Sequence, residues 1–167
     1  MASAPPPFRE QMPAHRARLL PWTSVMAGSL VTALPLVVEH PILPPFGLLM
    51  LLSWRLLAPL ALRPWAPALL GLFDDLVSGQ PTGSAMLLWT LAYFMVSLLE
   101  ARSALRDFWQ NWAIAAVTIA MCLGGARLIA SPLGAHVDGM LLIQIVISIL
   151  VFPAAARFVA WIDAKRA

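Results

Sequence analysis

The chain has 167 residues, of which 60% are apolar and only 11% are charged, with a formal net charge of +3. A soluble domain carries about 25% charged residues to cover its surface. Less than half of that, with a mean hydropathy of +0.81, excludes a water-bathed surface over most of the molecule and leaves little chain for a separate catalytic domain.

Residues 1–19 are rich in proline and hold Arg9, His15, Arg16 and Arg18; Pro5, Pro6 and Pro7 oppose a helix start, and the stretch reads as a disordered cytoplasmic tail. Six apolar segments follow, at 20–38, 44–62, 65–79, 84–99, 112–130 and 139–161. Most are near the about 20 residues that a membrane span requires, and the third, 65–79, is unusually short. The breaks between them are Glu39-His40-Pro41, Arg63-Pro64, Gln80-Pro81-Thr82, the charged and aromatic run Glu100 to Trp109, and residues 131–138. The first segment has no convincing cleavage site and reads as an uncleaved helix rather than a signal peptide. The expected architecture is therefore all-α: a polytopic helical membrane protein with a six-segment domain over 20–162 and a short cytoplasmic tail over 163–167.

Charge assigns the orientation. With alternate connections in the cytoplasm, the inner side holds Arg9, Arg16, Arg18, Arg63, Arg102, Arg106, Arg157, Lys165 and Arg166. The outer breaks hold Glu39, His40, Gln80, His136 and Asp138, without Lys or Arg among them. This is the positive-inside pattern, with both termini inside. Trp22, Trp65, Trp109, Trp112 and Trp161 lie near segment ends, where indoles anchor at the headgroup level. Basic residues used in this way argue against nucleic-acid binding, which needs a basic face interleaved with aromatics.

No phosphate loop, zinc-protease helix or paired-cysteine spacing is present. Cys122 is alone, so neither a disulfide framework nor a thiolate metal site can be built. His15, His40 and His136 read as solvated residues of a tail and two outer breaks. No catalytic, cofactor or metal assignment follows from the sequence. The informative stretch is Gly71-Leu72-Phe73-Asp74-Asp75-Leu76-Val77-Ser78-Gly79-Gln80-Pro81-Thr82-Gly83. Gly71, Asp75 and Gly79 recur every four residues and form a stripe that lets another helix approach closely. A charge at mid-membrane costs about 2.5 to 3.5 kcal/mol on the insertion scale, so Asp74 and Asp75 require a partner. Arg55, in the second segment, differs from them in depth by only about 5 Å, at about 1.5 Å rise per residue. The expectation is an internal ion pair between Arg55 and Asp74 or Asp75, with Asp75 favoured because it shares the glycine stripe. Adjacent carboxylates can serve acid catalysis, but no nucleophile, metal ligand or supporting shell accompanies them.

These residues resemble the MreD family, rod-shape-determining membrane proteins of bacteria. The resemblance rests on Leu51-Leu52-Ser53-Trp54, on Gly71, Asp75, Leu76, Ser78, Gly79 and Gly83 in a Gly-x3-Asp-Leu-x-Ser-Gly-x3-Gly pattern, and on Pro153 late in the last segment. Arg55, Asp74 and Pro81 are not part of that pattern. The resemblance implies a fold similar to the substrate-binding subunits of energy-coupling-factor transporters. It also implies no enzymatic activity, a place in the inner membrane, and a role in lateral-wall peptidoglycan synthesis. The implied partners are MreC and, with it, MreB, RodA and a class B penicillin-binding protein. Two rival classes use the same residues differently. A small transporter or substrate-binding subunit would place Arg55, Asp74 and Asp75 against a polar ligand, and a membrane-embedded enzyme acting on lipid-linked substrates would use Asp75.

The orientation has a direct check. A reporter active only in the periplasm is expected to be silent when fused between Arg102 and Trp109 and active when fused at Gln80; activity at the first position overturns the assignment.

Overall fold

The computed structural model describes residues 14–33, 43–102, 107–130 and 139–166. Among them it contains six α-helices and no strand: α1 (Ala14–Ala33), α2 (Phe46–Leu57), α3 (Ala66–Ser78), α4 (Ser84–Arg102), α5 (Phe108–Ala130) and α6 (Gly139–Arg166). Expected segment positions hold, but their ends move. Helix α1 starts at Ala14, so the expected disordered tail is helical over 14–19. Helix α6 runs through Arg166, so its basic end is helical rather than a tail. The expected outer-break residues Glu39, His40, His136 and Asp138 lie outside the described residues, as does Arg106.

Helix α2 is central, packing against α1, α4, α5 and α6. Its sequence explains this, because FGLLMLLSWRLL is apolar apart from Ser53 and Arg55; a helix apolar nearly all round is a buried helix. Nine of its 12 residues are buried, including Leu48, Leu49, Leu51, Leu52 and Trp54. The remaining packing pairs are α3 with α4, α1 with α3, α4 with α5, and α5 with α6. Trp54 Nε1 donates to Ser24 Oγ of α1 at 2.8 Å, and Trp112 Nε1 of α5 donates to the Ile149 carbonyl of α6 at 3.2 Å. Both indole N–H groups are thus satisfied without water, as a buried Trp requires.

The helices alternate in direction. One end of the bundle gathers the start of α1, the end of α2, the starts of α3 and α5, and the ends of α4 and α6. Aromatic contacts cluster there: Trp22 with Trp65 at 5.3 Å, Phe108 with Trp109, Trp109 with Trp112, and Phe158 with Trp161. Lys165 lies 3.6 Å from the Trp161 ring centroid. We refer to this as the basic end. Arg127, in the last turn of α5, is a cation at the opposite end and an exception to the charge partition.

Close helix approach at the start of α2 depends on two glycines, Gly28 of α1 and Gly47 of α2 itself. A Cβ on Gly28 of α1 would lie 2.9 Å from the Phe46 carbonyl carbon, and one on Gly47 would strike the Ser29 hydroxyl and the Trp89 ring. Gly124 of α5, by contrast, has nothing near the same position. Gly28→Ala is therefore expected to lower stability by about 1–3 kcal/mol through overpacking. Gly124→Ala, which gains helix propensity, is expected to be neutral or stabilising by up to about 1 kcal/mol. Thermal unfolding of the two variants in the same detergent checks the contrast.

Candidate functional site: the carboxylate joint between α3 and α4

Helix α3 ends in a left-handed glycine cap, Gly79, with φ +68°. The chain reverses over Gln80 to Thr82 and enters α4 through Gly83, whose φ is +100°. Both values lie where an L side chain is strained and glycine is not. Gly71, two turns before the cap, acts differently. A Cβ there would lie 2.6 Å from the Ala85 carbonyl oxygen and 2.7 Å from Met86 Cα, so the backbone of α3 rests directly on the first turn of α4. The four-residue recurrence is thus not one packing stripe. Gly71 provides contact, while Gly79 and Gly83, where a Cβ would have nothing within 4 Å, provide the turn.

Asp75 lies one turn after Gly71 and is 1% exposed. Its carboxylate caps α4. The Ala85 N–H and the Ser84 hydroxyl donate to Oδ1, each at 2.8 Å, and the N–H groups of Gly83 and Met86 donate to Oδ2 at 2.8 and 3.3 Å. The Ser84 N–H donates to the Pro81 carbonyl at 3.1 Å, and the Leu87 N–H donates to Gly83, opening the helical ladder. The N–H groups at the start of a helix that lack an intrahelical acceptor are thereby all satisfied, from Gly83 through Met86. The negative carboxylate also meets the positive end of the α4 dipole, a favourable pairing of up to about 2 kcal/mol in partly buried sites. These donors explain how a carboxylate is held in an apolar bundle without a cation among the described residues.

The ion pair expected between Arg55 and Asp74 or Asp75 does not form. Helix α2 stops at Leu57, which puts Arg55 in its last turn, at the basic end. There Nη1 pairs with Glu100 Oε2 at 2.9 Å, Nη2 donates to Ser97 Oγ at 2.8 Å, and the guanidinium stands 5.0 Å from the Tyr93 ring centroid. All three partners belong to α4. Ala85 and Ser97 are twelve residues apart, so the Asp75 and Arg55 sites are separated along α4 by about 18 Å. Similar counts from segment ends did not give similar depth, because α2 is shorter than the apolar run that contains it. Sequence reasoning missed Glu100, which it assigned to a charged and aromatic connection, and Ser84. Ser84 carries a legible signal as a hydroxyl residue at a segment start.

The remaining candidates divide. Leu76 is exposed on the outer face of α3. The Ser78 hydroxyl donates back to the Asp74 carbonyl at 2.7 Å, within the helix. Asp74 is half-buried, borders a small cavity of about 50 Å³ with Gln80 and Trp89, and has the Ser29 hydroxyl as its electrostatic neighbour. The Ser29 oxygen is buried and makes no hydrogen bond of ordinary geometry, so the Asp74–Ser29 relation is one of proximity. Among the described residues, no three His, Cys, Asp or Glu side chains gather to hold a metal. His40 and His136 lie outside the described residues. No family model, curated protein or solved structure matches the chain.

Two pairs of substitutions test this wiring. Asp75→Asn turns an amide NH2 toward N–H donors in either orientation, leaving at least one donor unsatisfied, at about 1–3 kcal/mol for each buried group so left. Arg55→Ala or Glu100→Ala alone is expected to cost about 3–5 kcal/mol, because each strands a buried charge. Thermal melts should show strong coupling between changes at 55 and 100 and additivity between changes at 55 and 75; coupling between 55 and 75 would contradict the geometry.

Proposed function

We propose that the chain is a multi-pass protein of the bacterial inner membrane, a non-enzymatic scaffold of the cell-elongation complex. In this reading it supports lateral-wall peptidoglycan synthesis and rod shape by binding MreC, in the manner of the MreD family that it resembles. MreB, RodA and a class B penicillin-binding protein would be reached through that complex. The observation that carries the reading is the structural use of the motif. Gly71, Asp75, Gly79 and Gly83 together make a rigid joint, and both oxygens of Asp75 already accept hydrogen bonds. A general acid or base must be within reach of the proton it moves, and a 1% exposed carboxylate with four donors is closed to a substrate. A scaffold needs only the joint.

The membrane part of the proposal has independent support. Phe108–Ile129 and Gly139–Lys165 are long and apolar enough to cross a bilayer, and only 28% and 17% of their most apolar windows are buried inside the fold. A soluble protein's core helix would be largely covered. The exposed aromatic rings at the basic end, Trp65, Trp109 and Trp161 among them, match an interfacial belt. Helices α2 and α3, with 12 and 13 residues, are shorter than a span. In the six-segment reading the surrounding bundle accommodates them, and α2 meets little lipid.

A partner surface follows on α3. Leu69 and Leu76 are exposed and two turns apart on one face, directly behind the joint that fixes the angle of α3. The transporter alternative gains no support, because Arg55 and Asp75, two of its three ligand contacts, are engaged internally.

Co-expression with MreC and affinity capture in mild detergent tests the proposal. The native chain is expected to retain MreC, and Leu76→Ala to retain about fivefold less with an unchanged melting temperature, as for an interface residue costing about 1 kcal/mol. Failure of the native chain to retain MreC overturns the partner assignment. An Asp75→Asn variant that folds and captures MreC yet fails to support rod shape would favour the enzyme class instead.

A further inference from the structure

At the basic end, α1 and the α2–α3 connection border an open cavity of about 410 Å³ lined by Leu19, Trp22, Leu60, Ala61, Arg63 and Trp65. Its lining divides by chemistry. Trp22 and Trp65 form a tilted indole pair, with centroids 5.3 Å apart. Leu60 is 98% exposed, an extreme value for a large apolar side chain at a chain turn. Arg63 is exposed, with its guanidinium 6.0 Å from the Trp65 centroid. No salt bridge to Arg63 occurs among the described residues.

We propose that this cavity is a binding site for one anionic phospholipid, with Arg63 on the phosphate, the two indoles at the glycerol level, and Leu19 and Leu60 against the acyl chains. Charge selects this occupant. A guanidinium is suited to paired hydrogen bonds with phosphate oxygens, whereas an apolar partner helix would leave it unmatched. Indoles favour the headgroup boundary, and an uncovered leucine beside them gains free energy by contact with acyl chains. The site lies on the opposite side of the molecule's length from Asp75, so it is separate from the α3–α4 joint. The inference rests on the membrane reading above.

The test uses purified chain in detergent, with retained lipid counted by native mass spectrometry. The probes are phosphatidylglycerol and phosphatidylcholine with identical acyl chains. The native chain is expected to retain phosphatidylglycerol about fivefold over phosphatidylcholine, the equivalent of about 1 kcal/mol for one basic residue at a membrane surface. Arg63→Gln should abolish the preference, and Arg63→Lys should keep part of it. Lys165→Gln, which removes another cation at the same end, should leave it within about twofold of native. Equal loss from Arg63→Gln and Lys165→Gln means diffuse attraction and overturns the site, as does an Arg63→Gln chain that still prefers phosphatidylglycerol. Melting temperatures without added lipid verify that each variant folds. Flotation with pure phosphatidylcholine vesicles separates the two levels: a chain that fails to float with them contradicts the membrane reading itself, whereas a chain that floats but shows no Arg63-dependent preference contradicts only the lipid site.

Discussion

The carboxylate of Asp75 at the start of α4 is the contact from which the rest of the arrangement follows. Burying an ionised carboxylate carries a desolvation cost of several kcal/mol, and no cation among the described residues offsets it. Backbone N–H groups do, together with the Ser84 hydroxyl. Those N–H groups would themselves be orphaned at a helix start inside an apolar bundle. Each side of the contact answers the other's deficit. The geometry is possible only because Gly71 lets α3 lie on the first turn of α4, and because Gly79 and Gly83, both with positive φ, reverse the chain between the two helices.

Helix α4 is held at both ends by charge, in two different ways. At one end the helix start receives an acceptor from α3. At the other, Arg55 of α2 reaches Glu100, Ser97 and the face of Tyr93, and the Tyr93 hydroxyl donates to the Leu62 carbonyl beyond the end of α2 at 3.0 Å. Between these fastenings the helix packs through Leu88, Trp89, Ala92 and Val96, all buried. Polar contacts thus fix register along α4, and apolar packing fills the space between them.

The six helical segments were legible because each is a long apolar run ended by Pro, Gly or charge, and runs of that kind have few alternatives to helix. Asp75 was legible as an exceptional residue, since a carboxylate beside glycines in an apolar run demands an explanation. Its partner was not. A search for opposite charge leads to Arg55, because sequence spacing reveals side chains and hides the main-chain donors that a helix start exposes. The recurrence of Gly71, Asp75 and Gly79 was misleading for a related reason. Four-residue spacing suggests one face of one helix, and nothing in the spacing tells that the helix has already ended at the second glycine. Helix length was the other hidden quantity. The apolar run 44–62 contains a helix of only 12 residues, flanked by irregular and turn structure, and that shortening moved Arg55 away from the aspartates. Arg127 shows that the charge partition, too, was simpler on paper than in the fold.

The brevity of α2 has a consequence for how such a chain would be made. A helix of 12 residues extends about 18 Å, well short of the about 30 Å of bilayer hydrocarbon, and this one carries an arginine. In the membrane reading it would partition poorly as it leaves the ribosome. Its counter-ion, Glu100, is synthesised 45 positions later, at the far end of α4. Stable integration of α2 would therefore wait for α4, and the first half of the bundle would enter lipid as one cooperative unit instead of span by span.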